Sequence, residues 1–156
     1  MSGRWVGIDL GDRRIGVAVS DPTGFLAEGR DTLDRSGESF PWRAIEAVLE
    51  EADARGVVVG EPLNMDGSAG ERAELSRRFA AELHERTGVR VELQDERLTS
   101  VQAQRMLIET RPGGGGKPGG KKSKKKSKGK RKEDVDQVAA VLILQAWLDR
   151  NARDGG

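Results

Sequence analysis

Two runs of alternating apolar residues stand back to back near the start of the chain and fix how its fold must begin. Val6, Ile8 and Leu10 alternate with Gly7 and Asp9; beyond Gly11-Asp12-Arg13, Ile15, Val17 and Val19 alternate with Gly16, Ala18 and Ser20. A period of two marks a strand, and a tight turn between two such runs makes them an antiparallel hairpin. Asp9 is out of place in that pattern. Aspartate is depleted in strand interiors because it must be solvated or paired. A carboxylate in mid-strand, with glycine leaving its surroundings open, asks for a functional explanation.

The rest of the pattern sets the architecture. Phe25 to Leu33, after the turn Asp21-Pro22-Thr23-Gly24, reads as a third, antiparallel strand. Residues 39–54 carry Trp42, Ile45, Val48, Leu49 and Ala52 at helical spacing. The stretch GVVVG at 56–60 is a short, wholly apolar strand of the kind buried in a parallel sheet. Glu71 to Thr87 is a helix closed by Gly88, and residues 89–94 form another strand. Thr99 or Ser100 can cap a third helix running to about Thr110, and Glu133 to Arg150 is a last helix, apolar on most sides and therefore buried. The prediction is an α/β fold, a mixed five-stranded sheet with helices on both faces. Residues 1–150 make a single domain, interrupted by an insert at about 112–132 and followed by a short tail, 151–156.

Composition removes several kinds of chemistry. The chain has no cysteine and no tyrosine, which excludes thiol nucleophiles, Cys-ligated zinc and a phenol linked to phosphate. Its one histidine, His84, lies in a helical run without a second histidine and reads as a surface residue. The longest apolar run, Val138 to Leu144, is far too short to span a membrane. The start lacks a leader, so the expected location is the cytoplasm. All nine lysines lie between Arg111 and Lys132, with two arginines and no acid; elsewhere 16 basic residues face 26 acidic ones. The Gly/Lys/Ser/Pro insert has nothing to bury and is expected to be disordered. It is either a solvated linker or a tether for a polyanion, and lysines confined to one segment favour the tether.

The remaining chemistry belongs to carboxylates. Asp9 is on the first strand, Asp95-Glu96 ends the last, and Glu133, Asp134 and Asp136 begin the final helix. In an open sheet ligands gather beyond the carboxyl ends of central strands, where these acids would come within reach of one ion. Mg²⁺ takes carboxylate and water oxygens and needs few protein ligands. Acids also complement a helix N-terminus, which accounts for Glu133 and Asp134 but not for Asp9. Ala139 and Ala140, one turn beyond Asp136, are small enough to let the helix press against the sheet.

Four stretches in order, GIDLGDRRIGVAVSD, VVVGEPLNMDGSAGERA, LQDERLTSVQA and DVDQVAAVLILQ, resemble the successive motifs of the YqgF family. Its members are described as pre-16S rRNA nucleases or Holliday-junction-resolvase-like proteins of the ribonuclease H-like fold. The resemblance covers nearly the whole chain except the insert and tail. It implies a catalytic, metal-holding trio at Asp9, Glu96 and Asp136, choosing Glu96 over Asp95 and Asp136 over Asp134. This chain departs from the family at Glu61, where an apolar residue is usual, and in the swollen loop before Asp136.

Such a trio supports hydrolysis by two divalent ions, Mg²⁺ or Mn²⁺, held about 3.5–4 Å apart. Asp9 would bridge both, with Glu96 and Asp136 each completing one side. Arg13, Arg14 and Arg97 flank the motifs and suit phosphates; pairing with nearby acids is the alternative, and for Arg14, which begins a strand, an equal one. Arg131 and Lys132 keep a position near the site. Asn64, Asp66 and Gly67 read as a turn; substrate contact by Asn64 is implied by the resemblance alone. The three tryptophans read as core. Three functions compete: a nuclease maturing the 5′ end of precursor 16S rRNA, with ribosomal particles as partners; a resolvase of branched DNA, which requires a two-fold dimer; and a non-catalytic nucleic-acid binder. The oligomeric state is open. A kinase or ATPase built on such a hairpin needs a second lobe, for which 156 residues leave no room.

Overall fold

The computed structural model describes residues 3–36, 39–99, 101 and 121–155, and side chains of the last helix from 135 to 152. Five strands, β1 (Arg4–Leu10), β2 (Arg14–Ser20), β3 (Ala27–Asp34), β4 (Ala54–Glu61) and β5 (Arg90–Asp95), form one sheet in the order β3-β2-β1-β4-β5. β1 and β2 pair antiparallel, as do β2 and β3, whereas β4 and β5 run parallel to β1 and to each other. The opening hairpin is closed by the Gly11 N–H donating to the Arg14 carbonyl.

Alternation along the strands sends residues to two cores. On one face Val6, Ile8, Ile15, Val17, Val57 and Val59 pack against α1 (Trp42–Ala52) and α2 (Glu71–Thr87). Helix α1 contributes Ile45, Val48, Leu49 and Ala52, the stripe expected from sequence, and α2 inserts Phe79 and Leu83. Each large side chain so buried stabilises the fold by about 1.5–3 kcal/mol. On the other face Trp5, Ala18 and Val58 pack against α3 (Lys121–Gly155), which supplies Ala139, Ala140, Ile143, Leu144 and Trp147. Trp5 and Trp147 lie with ring centroids 4.1 Å apart, and Trp42 stacks on Phe79 at 5.2 Å. The tryptophans belong to the packing.

Several boundaries differ from the sequence reading for local reasons. Helix α1 ends where Asp53 adopts a left-handed conformation (φ 51°), and the chain turns straight into β4. The third strand begins at Ala27 rather than Phe25, because the Asp21 carboxylate captures the backbone N–H groups of Phe25 and Leu26 and holds them in a turn. The last helix contains the expected Glu133 to Arg150 but starts at Lys121, so Asp136 lies within the helix rather than in its first turn; lysine is a good helix former and lets the coil extend backwards. Of the insert, 112–120 lies outside the described residues. So does nearly all of the helix expected from Thr99 or Ser100 to Thr110, although Val101 is helical and buried, and its N–H is capped by Thr99 Oγ1. Among the described residues no helix is long and apolar enough to cross a membrane.

Candidate active site

Glycines decide what the sheet face beneath α3 can hold. In a strand, a missing Cβ permits another backbone to approach closely. A Cβ added to Gly7 would stand 2.7 Å from Leu144 Cβ and 3.0 Å from the Ala140 carbonyl O, so α3 rests directly on β1. A Cβ on Gly16 would overlap the Asp136 carbonyl oxygen, sit 2.5 Å from its carbonyl carbon and 3.2 Å from its Cβ. A Cβ on Gly60 would meet Ile143 Cδ1 at 2.5 Å and Glu96 Oε2 at 2.6 Å.

These contacts bring three acids distant in sequence to one place. Asp9 is the register partner of Gly16, and the pairing of Ile8 with Val59 sets Gly60 beside it on the other side. Asp9, Gly16 and Gly60 all face α3, as Trp5, Ala18 and Val58 do on the same strands. Asp136 therefore lies over Gly16, Glu96 over Gly60, and Asp9 between them. Asp9 and Glu96 are 1% and 2% exposed, and Asp136 is half-buried. Glu96 opens the short 3-10 helix Glu96–Leu98 that follows β5, and the Asp95 carboxylate caps that turn by accepting from the Arg97 N–H. Gln94, paired with Gly60 and fully buried on this face, has neither end of its amide hydrogen-bonded among the described residues. A buried amide of that kind suits a polar or hydrated neighbour. Among the described residues no group of three or more acids or histidines closes around a point that could hold a metal ion. Three carboxylates repel one another without a cation between them, yet their hard oxygens are the donors that Mg²⁺ or Mn²⁺ takes.

The basic residues named from sequence have different surroundings. Arg13 is exposed at the hairpin turn, while Arg14 is half-buried with its Nε 4.0 Å from Asp34. Arg97 is engaged by Asp95, with Nη2 donating at 2.8 Å and Nε at 3.1 Å to Oδ2. The hydrogen bond from Arg97 holds the Asp95 carboxyl below its usual range, and Asp95 in turn raises the guanidinium. Arg97 also donates to the Met65 carbonyl at 3.3 Å, tying the site to the loop between β4 and α2. In that loop Asn64 and Gly67 make the expected turn, with the Gly67 N–H on the Asn64 carbonyl and Gly67 at φ 91°. Asn64 Nδ2 donates to Ser68 Oγ within the same turn. Glu61 is nearly buried and accepts from Arg77 Nε, so its unusual charge is neutralised by α2. His84 is an exposed helix residue whose Nδ1 meets the Val89 carbonyl. The side chains of Arg131 and Lys132 lie outside the described residues. Sequence reading passed over Gly16, Gly60 and Gln94 as site residues, although glycine inside an apolar run is a signal of close approach.

The sheet order, the hairpin carrying Asp9 and the acids gathered beneath α3 define a ribonuclease H-like α/β protein. The fold is that of "T. thermophilus RuvC in complex with Holliday junction substrate" (TM-score 0.54, 13% identity, covering 97% of this chain and 96% of that one). It is also that of the Fowlpox virus resolvase bound to junction DNA (TM-score 0.52, 12% identity, 94% and 97% covered). The chain belongs to the RuvX family, described as Holliday junction resolvase, which matches residues 3–150. A protein of Myxococcus xanthus named "Putative pre-16S rRNA nuclease" is 46% identical over 94% of this chain and 87% of its own length. One of the same name in Leuconostoc citreum is 39% identical over 95% and 96%. The family resemblance read from the four motifs holds.

Proposed function

We propose that this chain is a divalent-metal-dependent nuclease that hydrolyses phosphodiester bonds at the 5′ end of precursor 16S rRNA, in the cytoplasm and on ribosomal particles. The observation that supports this most is the meeting of Asp9, Glu96 and Asp136 over glycines at the carboxyl end of the central strands. Relatives at 39% to 46% identity carry the name of that activity.

Asp9, Glu96 and Asp136 would hold the cation, with Asp9 between the other two. A bound pair of Mg²⁺ or Mn²⁺ ions would supply the charge that activates a water and stabilises the leaving oxygen. Gly16 and Gly60 let the Asp136 backbone and Glu96 come down beside Asp9, and Asp9 and Glu96 are nearly buried there, where charge interactions are stronger than in bulk water. Arg13, exposed at the turn after Asp9, suits a backbone phosphate, as do Arg14 and, just before Asp136, Arg131 and Lys132. Asn64 and its turn stand at the rim, where a strand of substrate would pass.

The family's description favours a second reading, resolution of four-way DNA junctions, which needs two copies of the site related by a two-fold axis. One assay separates the readings. Pure protein with Mg²⁺ or Mn²⁺ is offered labelled precursor rRNA and a synthetic junction. Cleavage of the RNA alone, abolished by Asp9→Asn, is the expected result. Symmetric junction cutting would establish the resolvase, and tight binding with no cutting of either would leave a nucleic-acid-binding protein.

A further inference from the structure

We propose that Met65, Arg97 and Leu98 form a platform for a nucleotide base that has left its own stack, so that the enzyme selects an unpaired strand beside the bond it cuts. This rests on the nuclease reading above. Met65 is 82% exposed and Leu98 59% exposed. Single apolar residues on a surface need no explanation. These two, however, are both tied to Arg97: the Met65 carbonyl accepts from its guanidinium, Leu98 is the next residue in the same short 3-10 helix, and Glu96 is the residue before Arg97.

The platform is set before any ligand arrives. Asp95 grips Arg97 from the side through Nε and Nη2, which fixes the plane of the guanidinium. The loop bearing Met65 is braced by Asn64 N–H on the Ser68 carbonyl and by Ser68 N–H on Asp66 Oδ1. Arginine planes and apolar side chains are what an unstacked base lies on. Arg97 has spent its charge on Asp95, so a flat face is what it offers. A base within a duplex has both faces covered by its stacked neighbours, so only a base that has left the stack can lie on this surface.

The test needs no cleavage. The full chain, in buffer with a chelator, is titrated into a short RNA carrying 2-aminopurine, first alone and then annealed to its complement. The unmodified protein should bind the single strand more tightly than the duplex. The double variant Met65→Ser, Leu98→Ser should lose roughly five- to hundredfold in affinity for the single strand, the value of one stacked base, and less than about twofold for the duplex. Arg97→Lys, which keeps charge but not the plane, should show the same split, while Met65→Leu should bind normally. Both apolar sites are exposed, so melting temperatures should stay level. An equal loss on both nucleic acids, or none, overturns the platform. Absence of cleavage by the unmodified protein once Mg²⁺ is added would overturn the nuclease reading instead, and leave the binding result to judge the platform by itself.

Discussion

Asp21 shows how one carboxylate can set a boundary that hydrophobic pattern misplaces. Its oxygens accept from the N–H groups of Thr23, Phe25 and Leu26 and from the Thr23 hydroxyl. The bond from Leu26 does most to hold the carboxyl at about 2, below the ordinary 3.8. A depressed acid stabilises the folded form in its charged state. Its contribution is complete above about pH 4 and is lost as pH falls through about 2. The turn should therefore open in acid before the sheet does. Amide exchange at Leu26 and Phe25 followed from pH 5 downwards should show protection vanishing with a midpoint near 2, and Asp21→Ala should lack that protection at every pH. Persistence of both amides below the midpoint would mean that packing, not the carboxylate, fixes the turn.

At the scale of elements, the contact between α3 and the sheet depends on strand glycines, and two of them should respond differently. Replacing glycine by alanine lowers unfolded-chain entropy by an amount worth about 0.4–1 kcal/mol, whereas overpacking costs about 1–3 kcal/mol. At Gly16 the new methyl would collide with the backbone of Asp136, which cannot swing aside. The overpacking term wins there. Gly16→Ala should lower stability by about 1–3 kcal/mol and abolish cleavage, because the helix must lift and take Asp136 with it. At Gly60 the methyl meets Ile143 Cδ1 and Glu96 Oε2, both ends of side chains. Gly60→Ala should hold its stability within about 1 kcal/mol yet lose most cleavage, since Glu96 must turn away. Denaturant melts and rates on labelled RNA check the pair; equal destabilisation would show that α3 does not rest on β2 as described.

Across the whole molecule the charges are sorted: an acidic body and a segment holding every lysine. The backbones of Lys121 to Lys132 lie in the first turns of α3, leading to Asp136. We propose that this tract acts as a tether, gathering nucleic acid by releasing counterions without positioning the reacting bond. Each phosphate neutralised contributes about −0.7 to −0.9 to the slope of log affinity against log salt. Replacing Lys121, Lys122, Lys124, Lys125 and Lys126 with serine should weaken binding to RNA and DNA alike and flatten the slope by several units at most. Turnover at saturating substrate should hold, because affinity lost equally from ground and transition states raises KM alone. Binding with an unaltered salt dependence would make the tract a linker.

Most of the elements, and Asp9 as an acid out of place, were legible in the sequence because both rest on local pattern, whereas the choice of Glu96 over Asp95 and of Asp136 over Asp134 came only from the family resemblance. Period-two runs around Asp9, a helical stripe from Trp42 to Ala52 and an acid outside any helix start are read along the chain without knowing what lies opposite. Sequence alone also excluded thiol and phenol chemistry by composition. What lies opposite was decided only by the tertiary structure. Gly16 and Gly60 become site residues because Asp136 and Glu96 come down on them from more than thirty residues away in sequence, and no local pattern carries that pairing. Arg97 is legible as a basic residue beside a motif, but its partner could have been a phosphate or an acid; the fold gives it Asp95 and the Met65 carbonyl. The physical reason is one of range: propensity and periodicity act over a few residues, whereas close approach is set by how a helix and a sheet settle on each other.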